Sequence, residues 1–460
     1  MFDIAIIGAG VVGCAVARRF AMAGARVVLI EKGADILSGA SKANSAILHT
    51  GFDAQPASLE WQLVQAGRAE YLEIHERFNL PLVKTGALVC AWNEQEASKL
   101  EHILLEGRGN GVPELTLLSA AQARRKQPGL SLRLQAAVEV AGEYIIDPWS
   151  APLAYATQAL QLGARVMRGT EVLQGEFDGQ AWHLHTTTEP VRARVVINTA
   201  GLFGDEIERR LGLPVEFQIK PRKGQFVVLD KAAARHVGTI ILPVPSASTK
   251  GIVVCPTVFG NVIIGPTAEE QDDRVRATVE HDTLEGLIRW GEAIVPALAG
   301  MPVTALYAGL RPASEQKAYR VFSRPAQQAI TLGGIRSTGL SAALGLAQYA
   351  LALYQQFDIG SFSAPKDIPW CVMPNLAESR ERDWQRPHHG EMVCHCELVT
   401  RREIAASLCS PLPPGDFGGL RRRTRAGMGR CQGFYCNSTL AEMTKGKLAA
   451  DLAVNTEGTS

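Results

Sequence analysis

The sequence predicts an α/β fold, and three observations carry the prediction. Residues 2–7, Phe-Asp-Ile-Ala-Ile-Ile, form an apolar run suited to a buried parallel strand. The turn Gly8-Ala9-Gly10-Val11-Val12-Gly13 follows, and residues 14–23 continue as a helix. A second apolar strand, residues 26–30, ends at Glu31 and completes a βαβ unit. Composition agrees: 460 residues, 46% apolar, 20% charged and 44 glycines are ordinary for an α/β protein of about three domains.

The bulk numbers exclude several classes. A net charge of +1 gives no overall pull toward nucleic acid or membrane. The N-terminus enters a strand at once, without the basic region of a secretory signal. No run of about twenty apolar residues exists, so no transmembrane segment is expected. The expected location is cytoplasmic, or at the membrane periphery through a partner. In a reducing cytosol, clustered cysteines among the nine read as ligands rather than disulfides. Cys14, Cys90, Cys255, Cys371 and Cys409 are scattered and read as ordinary small residues.

The remaining elements follow from periodicity and turn residues. Residues 57–80 and 94–106 read as helices, and 84–92 as a strand. A helix over 151–162 leads through Gly163 into a strand over 165–172. The apolar strand 195–198 closes at Thr199-Ala200-Gly201. Strands are expected at 224–230, 252–258 and 262–266, the last two joined as a hairpin by Phe259-Gly260-Asn261. Helices at 282–298 and 341–354 flank a strand at 329–333. Prolines 365, 369, 374 and 387 break periodicity over 357–391, which reads as a linker with little structure of its own. A cysteine module follows, with helical patterns at 400–408 and 438–452.

The opening unit points to a dinucleotide. Gly8 allows the tight turn, Gly10 lets the backbone approach a pyrophosphate, and Gly13 packs helix against strand. The helix N-terminus then faces the phosphates. Glu31 stands where an acid bonds a ribose 2′-hydroxyl. The next segment favours FAD over NAD. Ser38-Gly39-Ala40-Ser41-Lys42-Ala43-Asn44-Ser45 is a small polar loop suited to wrapping a flavin, whereas an NAD domain usually proceeds directly into another helix.

Further motifs stand in a fixed order: His49-Thr50-Gly51, Asn198-Thr199-Ala200-Gly201, Pro221-Arg222-Lys223-Gly224-Gln225, Thr249-Lys250-Gly251, Gly309-Leu310-Arg311-Pro312 and Ile335-Arg336-Ser337-Thr338-Gly339-Leu340-Ser341. With these the chain resembles the FAD-dependent amine and hydroxy-acid oxidoreductases that include D-amino-acid oxidase. The resemblance is nearest to the glycerol-3-phosphate dehydrogenase/oxidase branch, with 2-hydroxyglutarate dehydrogenase nearby. It implies a Rossmann-like FAD-binding domain over 1–82, 145–215 and 305–356, interleaved with an α+β substrate domain over 83–144 and 216–304. It also implies FAD contacts from Gly8, Gly10, Gly13, Glu31, Lys32, Ser41, Asn44 and Ser45. Val172 would meet adenine through its backbone, and Ala200 and Gly201 would line the nucleotide path. Arg336, Ser337, Thr338, Gly339 and Leu340 would cover the pyrimidine edge of the isoalloxazine. The helix beginning at Ser341 would stabilise the negative charge of reduced flavin, as its dipole also requires.

Hydride transfer from an alcohol or amine carbon needs a base for the O–H or N–H proton. His49, beside the flavin loop, is the candidate. An anionic substrate needs cations. The resemblance places Arg311 over the flavin, suited to a bidentate grip on carboxylate or phosphate, and Lys250 resembles a lysine of the glycerol-phosphate oxidases. Arg222 and Lys223 are weaker candidates.

At the other end, one residue separates Cys394 from Cys396, and four separate Cys431 from Cys436. Four thiolates suit a [2Fe–2S] cluster; zinc is the alternative, although a Cys-x-Cys pair is less typical of it. Residues 392–455 resemble the bacterioferritin-associated-ferredoxin type of [2Fe–2S] domain, a small helical module. The arginine run 421–425 would offset the cluster's charge, and Gly427 and Gly429 would permit close backbone approach. The expected protein is thus a dehydrogenase of a small anionic 2-hydroxy compound. Its electrons leave through the cluster to an acceptor protein or a quinone-linked partner subunit. The alternatives are C–N oxidation of a secondary amine, opine or proline derivative, and a redox- or zinc-sensing scaffold without enzymatic output.

Overall fold

The structure, a computed structural model, describes residues 1–245 and 251–452. The strand Phe2–Ile7 lies between Val191–Asn198 and Val27–Ile30, parallel to both. Arg165–Met167 extends this sheet on one side and Ala329–Gly333 on the other, again in parallel. Antiparallel strands Val172–Phe177, Trp182–Thr186 and Arg320–Arg324 complete it. Being buried, the central strands read as continuous apolar runs. Helices Val11–Met22, Leu59–Ile74, Ser150–Gln161 and Gly339–Gln355 share one large core on this sheet. Leu59–Ile74 and Gly339–Gln355 cross at Gly67 and Gly345, where any Cβ would overlap the opposing backbone. That crossing sets the start of Gly339–Gln355 against the His49 segment.

The second sheet is mostly antiparallel. Arg222–Leu229 pairs with Val303–Arg311 on one side and Val262–Gly265 on the other. Val253–Pro256, Ile240–Pro243, Ala87–Ala91, Ala136–Val140 and Leu115–Ser119 continue it. The hairpin expected around residues 259–261 is present. The strand Val303–Arg311 crosses the domain boundary expected at 305 and belongs wholly to this sheet.

Several expected elements are shorter or divided. The helix expected over 57–80 runs Leu59–Ile74, opened by the Ser58 side chain accepting from the Trp61 amide. The 94–106 helix is two pieces, Glu94–Ala97 and Leu100–Gly109. The strand expected over 165–172 stops at Met167. The final helix covers only Asn437–Thr444, because Gly446 takes a left-handed φ of 67° just beyond it.

The segment 357–391 carries only one short 3-10 turn, Asp383–Gln385, as the prolines require. It is nevertheless a strap rather than a free tether. The Trp370 ring lies 4.8 Å from Phe78. The Met373 amide donates to the Phe78 carbonyl at 2.9 Å, and the Glu378 amide to Val258 at 2.9 Å. The cysteine module then folds on its own small core of Val393, Val399, Ile404, Leu420, Ala426 and Leu440. Two short strands, Met392–Cys394 and Val399–Thr400, precede helices Arg401–Leu408 and Phe417–Thr424. It docks on both sheets' domains. Arg423 pairs with Asp35 at 2.9 Å, Arg430 with Asp230 at 2.8 Å, and Arg425 lies 4.1 Å over the Phe259 ring. Among the described residues, no helix is long and apolar enough to cross a membrane.

Candidate active site

A cavity of about 960 Å³ opens between the two sheets, at the upper end of the range for small-molecule and cofactor sites. One side is the opening turn. Gly8 has φ of 103°, and a Cβ on it would lie 2.8 Å from the Thr199 carbonyl oxygen. A Cβ on Gly13 would overlap the Gly8 carbonyl oxygen, so this glycine seats the helix on the turn without reaching the cavity. Gly10 faces the cavity, and the Val11 amide donates to Ser41 Oγ at 3.0 Å. Asn44 folds the polar loop on itself: its Oδ1 accepts from the Ala46 amide at 2.7 Å and its Nδ2 donates to the Ser41 carbonyl at 3.1 Å.

Glu31 accepts from the Ala9 amide and the Gly33 amide, both at 2.8 Å. Burial pushes its carboxyl above the usual range, and these two amides oppose the rise. The acid therefore stiffens the turn it closes, and each oxygen retains a further lone pair toward the cavity it lines. Lys32, Ser45, Val172, Ala200 and Gly201 also line the cavity. The Val172 carbonyl accepts from Arg210 at 2.6 Å. At the far side Arg336, Ser337, Gly339 and Leu340 line it, while Thr338 does not. The Thr338 hydroxyl bonds Glu60 and the Tyr319 hydroxyl, each at 2.6 Å. A tight glycine turn, a helix N-terminus and a cavity of this size between them fit a dinucleotide such as FAD.

His49 is half-buried in the cavity wall. Ser341 Oγ accepts from its backbone amide at 2.9 Å, and Glu143 Oε2 lies 2.8 Å from its Nδ1. Sequence reading missed Glu143. It is 94 positions from His49, and only sheet register brings it there. Leu48 pairs with Tyr144 antiparallel, which sets the next residues, His49 and Glu143, side by side.

Arg311 is half-buried in the same wall, its Nη2 donating to the Thr267 carbonyl at 3.0 Å. Gly224 makes room for it, since a Cβ there would lie 2.6 Å from Nη2. Arg222 stands opposite Arg311 in the sheet register, a like-charge placement that costs stability. Burial, then Arg222 and Arg336, push Arg311 down to about 10; burial and Arg222 also lower Arg336. Glu270, 3.4 Å from Arg222, offsets part of this charge. Arg222, Arg311 and Arg336 thus act on one another across one cavity, a setting that favours an anion. Lys223 is turned elsewhere, paired with Glu269 at 2.9 Å and Glu280 at 2.5 Å. Lys250 lies outside the described residues.

The four module cysteines meet across the fold in two pairs. Cys396 and Cys431 are side-chain partners, as are Cys394 and Cys436. Burial and then the neighbouring Cys394 push the Cys436 thiol up to about 12. The Gly427 amide donates to Cys394 Sγ at 3.5 Å. A Cβ on Gly429 would overlap that of Cys396. Among the described residues, no three or more His, Cys, Asp or Glu side chains converge tightly enough to be a metal site; the thiols are engaged pairwise. Arg421 does lie near them, its Nη2 donating to the Gly427 carbonyl at 2.7 Å.

Known proteins match the chain in family, in sequence and in structure. The family model for FAD dependent oxidoreductase, DAO, matches residues 3–353. A glycerol 3-phosphate dehydrogenase of Caloramator mitchellensis is 31% identical over 461 residues, covering 98% of this chain and 95% of that one. One subunit of the anaerobic glycerol-3-phosphate dehydrogenase of Escherichia coli K12 is 26% identical over 487 residues, covering 94% and 86%. Among solved structures, dithionite-reduced L-α-glycerophosphate oxidase from Mycoplasma pneumoniae with FAD bound superposes with a TM-score of 0.73 at 25% identity, covering 80% of this chain and 99% of that one.

Proposed function

The chain belongs to the FAD-dependent oxidoreductase family, and on that premise we propose that it oxidises the C–O bond of a small anionic 2-hydroxy compound. Glycerol 3-phosphate or a 2-hydroxy acid is the leading substrate. The observation that carries this reading is that His49, Arg222, Arg311 and Arg336 line one cavity. FAD, when bound, supplies the hydride acceptor. The glycine turn, the Ser41–Ser45 loop and Arg336, Ser337, Gly339 and Leu340 would hold it. Arg311, with Arg222 beside it, would fix the anionic group of the substrate, and His49 would take the hydroxyl proton.

Arg311→Met should weaken an anionic substrate by about 10–100-fold in KM, the worth of one or two charge-assisted hydrogen bonds at about 1.5–3 kcal/mol. Lys250→Ala separates the substrate classes. A phosphate ester would lose affinity in both variants, and an amino acid chiefly in the Arg311 variant. The primary test is stopped-flow flavin absorbance under argon with glycerol 3-phosphate, 2-hydroxy acids and secondary amino acids. If none of them bleaches the flavin, the proposal fails; bleaching by an amino acid alone would favour C–N oxidation.

The electron exit belongs to the same proposal. The donor set we propose is the thiols of Cys394, Cys396, Cys431 and Cys436, without an oxygen ligand, which would suit iron–sulfur chemistry. A cluster there would carry electrons away singly. Support comes from relatives that match beyond residue 353, one of them over 98% of the chain, and from one of them being a named part of a larger enzyme. Phe434 and Tyr435, exposed between Cys431 and Cys436, suit contact with an acceptor. Anaerobically purified protein should show [2Fe–2S] absorbance beneath the flavin bands, and Cys436→Ser should abolish it. Stoichiometric zinc without that absorbance would sink this part.

A further inference from the structure

We propose that Glu143 is a positioning residue that sets the tautomer of the His49 imidazole; the inference rests on His49 being the base. Glu143 is 0% exposed, accepts two hydrogen bonds from Thr50 and makes a third with the His49 ring. Its Oε1 takes the Thr50 amide at 2.6 Å and the Thr50 hydroxyl at 2.8 Å, and its Oε2 faces His49 Nδ1 at 2.8 Å. The two oxygens divide their work: one staples the loop, the other addresses only the ring.

An ionised carboxylate can only accept. Opposite Nδ1 it selects the tautomer protonated there, which leaves the lone pair on Nε2. The Ser341 hydroxyl holds the His49 backbone amide, so the ring is fixed at both its root and its Nδ1. With His49 in the cavity wall, Nε2 is the atom that would take the substrate proton. The O–H bond breaks, its electron pair stays on oxygen, and an Nε2–H bond forms. The imidazolium so produced is stabilised by the adjacent carboxylate, which itself takes no proton. This arrangement repeats the logic of acid–histidine pairs elsewhere, here built from two strand ends that meet by antiparallel register.

Glu143→Gln distinguishes positioning from stapling. The amide oxygen retains the Thr50 bonds, while the NH2 group now donates toward Nδ1 and selects the opposite tautomer, with the proton on Nε2. The test uses holoenzyme labelled with ring-15N histidine, the His49 signals being assigned by their loss in His49→Gln. The wild-type ring should carry its proton on Nδ1, and Glu143→Gln should move it to Nε2. The rate constant of flavin reduction by glycerol 3-phosphate under argon should fall in that variant on the order of 10²-fold or more, with KM little changed. A wild-type ring protonated on Nε2 overturns the proposal, and this spectrum decides the matter even if the variant does not fold. An unchanged tautomer and rate in a folded Glu143→Gln overturns it too. If His49→Gln reduces at the wild-type rate, it is the assignment of His49 as base that fails. A slow His49→Gln beside a normal Glu143→Gln sinks only the role of Glu143.

Discussion

Replacing His49 by glutamine should lower the rate constant of flavin reduction by about 10²–10⁴-fold, the usual contribution of a positioned base. Glutamine preserves much of the side-chain bulk and a hydrogen-bonding end, so the Glu143 contact and the cavity wall are disturbed little. It has no group that accepts a proton near neutral pH. The guanidiniums of Arg222, Arg311 and Arg336 lie in other segments of the wall, so anion binding should survive and KM should change far less than the rate constant. Single-turnover reduction under argon measures both. A variant that reduces as fast as wild type would show that the proton leaves by another path, such as water.

Gly13→Ala should yield protein with little bound flavin and a markedly lower melting temperature. The new Cβ would overlap the Gly8 carbonyl oxygen and approach Thr199 Oγ1 at 2.8 Å. Both are held rigidly. Gly8 sits in the turn, and the Thr199 hydroxyl donates to the Gly8 carbonyl at 2.8 Å. The helix Val11–Met22 must shift outward, which misplaces its N-terminus and costs more than the ~1–3 kcal/mol of ordinary overpacking. Gly10→Ala is the graded comparison. Its Cβ would meet Ser41 Oγ at 3.2 Å, a hydroxyl able to rotate away, so stability should fall less. Flavin absorbance relative to protein, together with thermal melts, measures both effects. Equal melting and full flavin in Gly13→Ala would contradict the packing described.

Local chemistry made the opening βαβ unit readable from sequence. Gly8, Gly10, Gly13 and Glu31 lie within one supersecondary unit, and each has a conformational reason for its identity. The hairpin around Gly260 was readable for the same reason, because turn residues and flanking β-branched runs are adjacent in sequence. Helix ends were less readable. Ser58 starts its helix late, and the left-handed Gly446 ends another early, both single-residue effects that periodicity averages away. The prolines of the strap 357–391 make it irregular, with one short 3-10 turn. Its attachment was not visible, because Trp370, Met373 and Glu378 meet Phe78 and Val258, residues remote from them in sequence.

The candidate site divides along the same line. His49 and Arg311 stood out because a titratable or charged residue sat inside a motif. Glu143 sat in no motif and became visible only through the pairing of Leu48 with Tyr144. Arg222 appeared weak as an isolated cation, yet sheet register sets it opposite Arg311. Lys223, its neighbour in sequence, alternates to another side and is neutralised by Glu269 and Glu280. By itself the sequence determined the α/β class, the nucleotide-binding turn and the residue types available for the chemistry, because those are written in contiguous spacing. Only the tertiary structure decided which carboxylate faces His49, which cations converge, and that Arg423 and Asp35, 388 positions apart, fasten the cysteine module to the first domain. Strand register and domain docking set those pairings, and both depend on burial summed over the whole chain.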